Sequence, residues 1–123
     1  MPTLTYATTF VVVTLSPPSL ANLHNDKITA IEAGKQVVIS TTATNNIDTD
    51  ASCVIIIEVR NAIGVTVYLA YQTATIESRS NNTIGVSWLI EEQSSHEVRA
   101  FAITDLQNPQ LISSPISMSL PSL

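Results

Sequence analysis

Residues 53–71 constrain this chain more than any other stretch. Cys-Val-Ile-Ile-Ile-Glu-Val-Arg at 53–60 and Val-Thr-Val-Tyr-Leu-Ala-Tyr at 65–71 are rich in β-branched and aromatic side chains, which pack well on a pleated surface. Between them Asn61-Ala62-Ile63-Gly64 is short, and its glycine can take the positive φ that closing such a loop usually requires. The pattern predicts an antiparallel β-hairpin. Alternation puts Cys53, Ile55, Ile57 and Val59 on one face and Val54, Ile56, Glu58 and Arg60 on the other. Both faces begin apolar.

The rest of the chain reads as further short strands between turn signals. Residues 4–15 form a β-prone run of Thr, Tyr, Phe and Val that stops at Pro17-Pro18, a pair that cannot continue a central strand. This predicts an N-terminal arm over residues 1–16, pairing outside the first strand position, and a domain over 17–123. Residues 19–23 and 28–31 read as a first strand broken at Asn25-Asp26, and residues 36–44 as a second, with Val37, Ile39, Thr41 and Ala43 on one face. After the hairpin come a strand with Ile84, Val86 and Trp88 inward, another over 96–104, and a last one over 112–120. That last strand is placed near an edge because Pro115 removes a ladder donor. About seven strands without helical periodicity predict an all-β fold, an antiparallel β-sandwich.

A resemblance supports this architecture. The run Ile31-Glu-Ala-Gly34-Lys-Gln-Val37-Val-Ile39-Ser-Thr41-Thr-Ala43-Thr-Asn45-Asn46 resembles the second-strand motif of immunoglobulin-like CARDB and fibronectin III-like modules of archaeal surface proteins. Residues 60–67 look like their central hairpin turn, and Val86-Ser-Trp88 followed by Val98-Arg-Ala100-Phe101 is similar to their paired late strands. The closing segment 108–120 is similar to the ending of such modules, so the resemblance covers about residues 18–120. It departs at His96, where these modules usually open the penultimate strand with a tyrosine, and the arm lies outside it. Its motifs are structural and imply a fold, not an activity.

Charge and cysteine usage narrow the function classes. Five Lys and Arg against ten acids give a net charge of -5 with no basic cluster, which argues against phosphate-backbone binding. Nucleic acid is therefore not an expected partner. No apolar run approaches the span of a bilayer, so any membrane association is expected through a segment outside this chain. Frequent Ser and Thr with few Lys suit an extracellular or cell-surface β-protein. Cys53 is the only cysteine, and it begins an apolar strand with no neighbouring cation to stabilise a thiolate, so it reads as a buried hydrophobe.

No residue set carries chemistry convincingly. His24 and His96 lie far apart and outside any ligand spacing with Cys, Asp or Glu. Asp48 and Asp50 share a loop, yet two acids are too few for a cation site, and Asp and Asn serve turns by bonding their own backbone. Glu91-Glu92 are adjacent and point apart, unlike a glycosidase pair facing across a substrate. Ser94-Ser95-His96 lacks any nucleophile elbow. No catalytic, cofactor or metal residue is predicted, and an enzyme is not expected. Asn81-Asn82-Thr83 is an N-x-T acceptor expected in a loop, which makes Asn81 a glycosylation candidate.

The informative surface is expected on the sheet itself. In an immunoglobulin-like sandwich the third and sixth strands are neighbours, which sets Val54, Ile56 and Glu58 beside Arg99, Phe101 and Ile103 on the side away from the core. Glu58 and Arg99 are expected to pair at its margin. The remaining patch is of the kind that marks protein contacts, unless a loop of the same chain covers it. The reading is a non-enzymatic structural module of an archaeal surface assembly, a filament or envelope subunit. Its partner is a protein: another copy in a homo-oligomer, or an assembly neighbour reached by sheet-face contacts and strand donation. Two alternatives are an archaellum-type stator or periplasmic scaffold subunit behind an anchor, and a carbohydrate-binding adhesin. The adhesin needs solvent-facing aromatics grouped for stacking, which depends on where Tyr6, Tyr68 and Tyr71 lie.

Overall fold

β-Branched residues at alternating positions build two antiparallel sheets in the computed structural model, which describes residues 11–123. The strands are β1 (Val13–Leu15), β2 (Ser19–Ala21), β3 (Lys27–Ile28), β4 (Gln36–Asn45), β5 (Ala51–Asn61), β6 (Thr66–Ile76), β7 (Asn81–Leu89), β8 (His96–Ile103) and β9 (Ile116–Leu120). The first sheet is centred on β4. β7 runs along one edge of it, β1 and β2 share the other end to end, and β3 lies beyond β2. The second sheet has the order β6-β5-β8-β9. This is an all-β sandwich, with more strands than the seven expected because the N-terminal portion is divided into short pieces.

The core is the space between the two central strands. Val37, Ile39, Thr41, Ala43 and Asn45 of β4 are buried, and so are Cys53, Ile55, Ile57 and Val59 of β5, in the alternation read from the sequence. Trp88, Ile84, Val98, Ala100 and Leu120 complete the same cluster. Each large aliphatic side chain buried there contributes roughly 1.5–3 kcal/mol. Asn45 is the polar exception, and its hydrogen bonds are met. Its Nδ2 donates to the carbonyls of Thr49 and Ile76, each at 2.9 Å, and its Oδ1 accepts from the Ile47 N–H at 3.0 Å. One side chain thus ties the end of β4 to the end of β6 in the opposite sheet. Gly64 closes the β5–β6 turn at φ 85°, where a side chain would be strained.

The expected boundary between an arm and a domain falls inside the first sheet. Residues 1–10 lie outside the described residues, but Val13 and Leu15 are core, 0% and 5% exposed, and β1 pairs with β4 in the same direction as β2 does. Leu15 stands opposite Ala43 and Ser19 opposite Ser40, so the intervening Pro17-Pro18 segment carries one extra residue. The prolines therefore act as a bulge in an edge strand, where a missing N–H costs least. At the far end of the chain, the strand expected over 112–120 begins only at Ile116, after Pro115, and β9 is an edge strand.

Because Leu15 packs in the core, Leu15→Ala is expected to lower unfolding stability in urea by about 2–5 kcal/mol. Ser19→Ala, at an exposed position of β2, is expected to stay within about 0.5 kcal/mol of the parent.

Candidate functional site

The register of β5 against β8 sets Val54 opposite Ile103, Ile56 opposite Phe101 and Glu58 opposite Arg99. All six residues named from the sequence thus share one face of the second sheet, the face turned away from the core. On the other side of β5, Thr73, Tyr71 and Leu69 of β6 stand opposite Val54, Ile56 and Glu58 and extend the same face. Leu111, in the segment that folds back after β8, bridges Ile103 and widens it further.

Exposure along this face is uneven. Val54 and Ile103 are buried within the chain, 4% and 7% exposed, so they are not available to a partner as expected. They lie in a row flanked by Thr73 and Leu111, at the end where the Thr104 N–H bonds the Gln110 carbonyl and holds the turn against the strand. Ile56 and Phe101 are half-buried at the centre. The exposed apolar side chains are Leu69, Tyr71 and Leu111, at 63%, 58% and 56%. Sequence reading missed these three. For Leu69 and Tyr71 the signal was present in the spacing, since both are apolar in the phase of β6 that faces outward. For Leu111 there was none, because its place depends on a chain reversal.

Glu58 and Arg99 meet at the margin of the face, as part of a larger cluster. Arg99 Nη1 lies 3.4 Å from Glu58 Oε1, Arg60 Nε lies 3.3 Å from Oε2, and the Thr66 hydroxyl also donates to Oε2. The Thr66 hydrogen bond and the two guanidinium groups hold the Glu58 carboxyl below the ordinary glutamate value, against a smaller opposing effect of burial. Its charge is therefore already satisfied within the chain.

The other candidate residues are dispersed. His96 is buried at the start of β8, with Nδ1 2.7 Å from the Ser94 carbonyl and its ring edge-on to Trp88 at 5.4 Å, while His24 is exposed in the β2–β3 turn. Asp48 pairs with Arg79 at 2.8 Å, and Asp50 accepts from the Ser78 N–H at 3.2 Å, so both acids fasten neighbouring turns. Among the described residues no three His, Cys, Asp or Glu side chains converge as a metal site would require. Asn81 is exposed, but it opens β7 opposite Thr44 and is not in the loop expected of it. The β4–β7 ladder runs that far because β4 continues to Asn45. Tyr68 and Tyr71 occupy opposite faces, Tyr68 lying 6.3 Å from Trp88, and Tyr6 lies outside the described residues. A cavity of about 570 Å³ opens at one end of the sandwich, lined by residues including Leu23, His24, Glu32, Lys35 and Leu89. Of the polar side chains that line it, His24, Glu32 and Lys35 are exposed in turns and Gln36 opens β4.

No family model matches this chain, and no curated protein matches it. Among solved structures, the crystal structure of the C-terminal domain of wzt superposes with a TM-score of 0.70 at 10% identity, over 90% of this chain and 73% of that one. A Pseudomonas fluorescens alkylpurine DNA glycosylase AlkC, bound to DNA containing an abasic site analog, gives 0.59 at 10% identity over 91% of this chain and 31% of its own. The β-glucosidase EmGH1 of Erythrobacter marinus gives 0.57 at 15% identity, over 85% of this chain and 15% of its own. At these identities the likeness shows the fold: an all-β sandwich that also occurs as a C-terminal domain and as a small part of larger proteins.

Two outcomes follow from this geometry. The depressed Glu58 value means its stabilisation is present above the ordinary value of 4.5 and is lost as pH falls through the lower folded value. Glu58→Gln is expected to flatten the acid limb of a stability–pH profile in that window and to leave neutral-pH pairing weakened. Burial raises the Cys53 thiol above its ordinary value, so a thiol reagent is expected to label the native protein only slowly and the urea-unfolded protein at once.

Proposed function

We propose that this chain is a non-catalytic immunoglobulin-like module, of CARDB or fibronectin III-like kind, in an extracellular surface assembly, and that it works by holding a protein partner against the outer face of its four-stranded sheet. The observation that carries this reading is the contiguous patch of Leu69, Tyr71 and Leu111 around half-buried Ile56 and Phe101. Large apolar side chains grouped on a wet surface mark interaction sites, and aromatics are enriched at the centres of interfaces. The charged cluster of Glu58, Arg60 and Arg99 forms a polar margin to that patch, as a rim does. The Ser- and Thr-rich, Lys-poor composition supports an extracellular setting, and the resemblance to archaeal surface modules supports such an assembly.

A carbohydrate-binding adhesin is the rival with an observation of its own. Tyr71 and Phe101 flank Ile56 in one cross-strand row, about 10 Å apart from strand to strand. The separation of Tyr68 from Tyr71 onto opposite faces leaves that row as its whole support.

A photoreactive phenylalanine analogue in place of Phe101 is expected to cross-link a discrete protein at the native cell surface, and Ile56→Arg is expected to abolish the product without changing the melting temperature. Absence of a product from Phe101, or its persistence with Ile56→Arg, would sink the face as the contact. Shifts of the Tyr71 and Phe101 ring resonances on titration with oligosaccharides would favour the adhesin instead.

A further inference from the structure

The edges of the two sheets are guarded unequally. The edge made by β1 and β2 is interrupted by the Pro17-Pro18 bulge, and β3 beyond it has two residues. β9 has five residues, with Pro115 before it and Pro121 after it. On β7, two residues shorter than β6, the Tyr68 hydroxyl donates to the Ser87 carbonyl at 2.6 Å and occupies that edge group. Short strands, prolines, bulges and covering side chains are the devices by which sheets avoid edge-to-edge pairing.

β6 has none of them along its outer edge. It is 11 residues long, roughly 35 Å, and from Val65 to Ile76 the chain carries no charged residue and no proline. Its one irregularity, the register shift at Val59/Arg60, lies at the turn end and leaves the ladder from Tyr68 to Ile76 regular. The direction of its backbone groups follows from the neighbouring strands. Ala102 turns its N–H to Ser113 Oγ and its carbonyl to the Ile112 N–H, away from β5. Peptide groups alternate along an antiparallel strand, so Arg99, Phe101 and Ile103 turn theirs to β5, and Glu58, Ile56 and Val54 turn theirs to β8. The residues opposite these on β6, namely Leu69, Tyr71 and Thr73, and Thr75 beyond them, therefore direct their N–H and carbonyl groups to the outer edge. None of these groups has a partner elsewhere among the described residues.

We infer that β6 pairs with β6 of a second copy of this chain, antiparallel about a two-fold axis at Gln72, joining two four-stranded sheets into one. This register matches every outward-directed group, with Tyr71 of one copy opposite Thr73 of the other and Leu69 opposite Thr75. It places Glu77 beside Val67 of the other copy, so no like charges meet although each chain carries -5. A self-pairing closes after two copies, whereas a head-to-tail contact would continue. The contact is one strand wide, smaller than the roughly 800 Å² per partner of a standard stable interface, so the dimer is concentration-dependent. The inference rests on the backbone groups of the β6 edge and not on the sheet face as a binding site: the side chains of Leu69 and Tyr71 belong to that face, but Ile56 and Phe101 at its centre lie on inner strands, away from this edge.

Sedimentation equilibrium of the full chain from micromolar to millimolar concentration is expected to show monomer passing to dimer. Thr73→Pro removes one outward N–H without touching the β5 ladder and is expected to keep the parent circular dichroism and remain monomeric. Ile56→Arg is expected to dimerise as the parent does. Amide exchange in the unmodified protein reads the same contact without a substitution: Leu69, Tyr71, Thr73 and Thr75 slow as concentration rises, while Ala70 and Gln72, already bonded to β5, do not change. A parent chain that stays monomeric at millimolar concentration, or a dimer whose four edge amides exchange as fast as the monomer's, would overturn the inference.

Discussion

Packing of the inner row of β4 against the inner row of β5 is the interaction on which the other elements depend. Both strands have neighbours along both edges, so their peptide groups are satisfied inside their own sheets and their side chains are free to fill the space between. Val37, Ile39 and Ala43 on one side and Ile55, Ile57 and Val59 on the other are almost wholly buried. Because side chains alternate with a period of two, burying these rows also fixes which residues point outward. A one-residue slip of β5 would drive Glu58 and Arg60 into the core. The outer face is thus determined by the core, and Asn45 locks the two sheets in that relation where the Asn45–Ala51 connection crosses between them.

The two sheets treat their outer sides differently. β4 presents Ser40, Thr42 and Thr44 outward, and Thr42 meets Thr83 of β7 through a 2.9 Å hydroxyl contact. That surface is at home in water. β5, β6 and β8 instead present isoleucine, leucine and two aromatics, with Glu58 tied down by Arg60, Arg99 and Thr66 at one side. Where they stay exposed among the described residues, as Leu69 and Tyr71 do, such side chains forgo the stabilisation that covering them would supply. The asymmetry makes the outer side of the second sheet the more apolar of the two.

Within this sandwich, prolines and tyrosine perform a quieter task. Pro17-Pro18, Pro115 and Pro121 sit where an exposed ladder would otherwise continue, and Tyr68 spans from the core to the β7 edge. Each removes a surface that another strand would pair with, at positions where the loss of an N–H leaves no buried group unsatisfied.

By itself the sequence determined the elements whose cause is local. Alternation through residues 36–44 and 53–60 specified which side chains are buried, Gly64 specified the hairpin turn, and the apolar surroundings of Cys53 specified a buried thiol. The pairing of Val54, Ile56 and Glu58 with Ile103, Phe101 and Arg99 was also legible, because strand order in an immunoglobulin-like sandwich brings those residues together. Only the tertiary structure decided matters that depend on residues distant in the chain. Val13 and Leu15 belong to the core because β4 offers a partner beyond the proline bulge. Val54 and Ile103 are closed off because the chain reverses after β8 and Leu111 returns beside them, and the same reversal brings Leu111 to the patch. Periodicity reports which way a side chain points from its own backbone, but exposure is set by what other segments bring to that side, and that is a property of the folded chain alone.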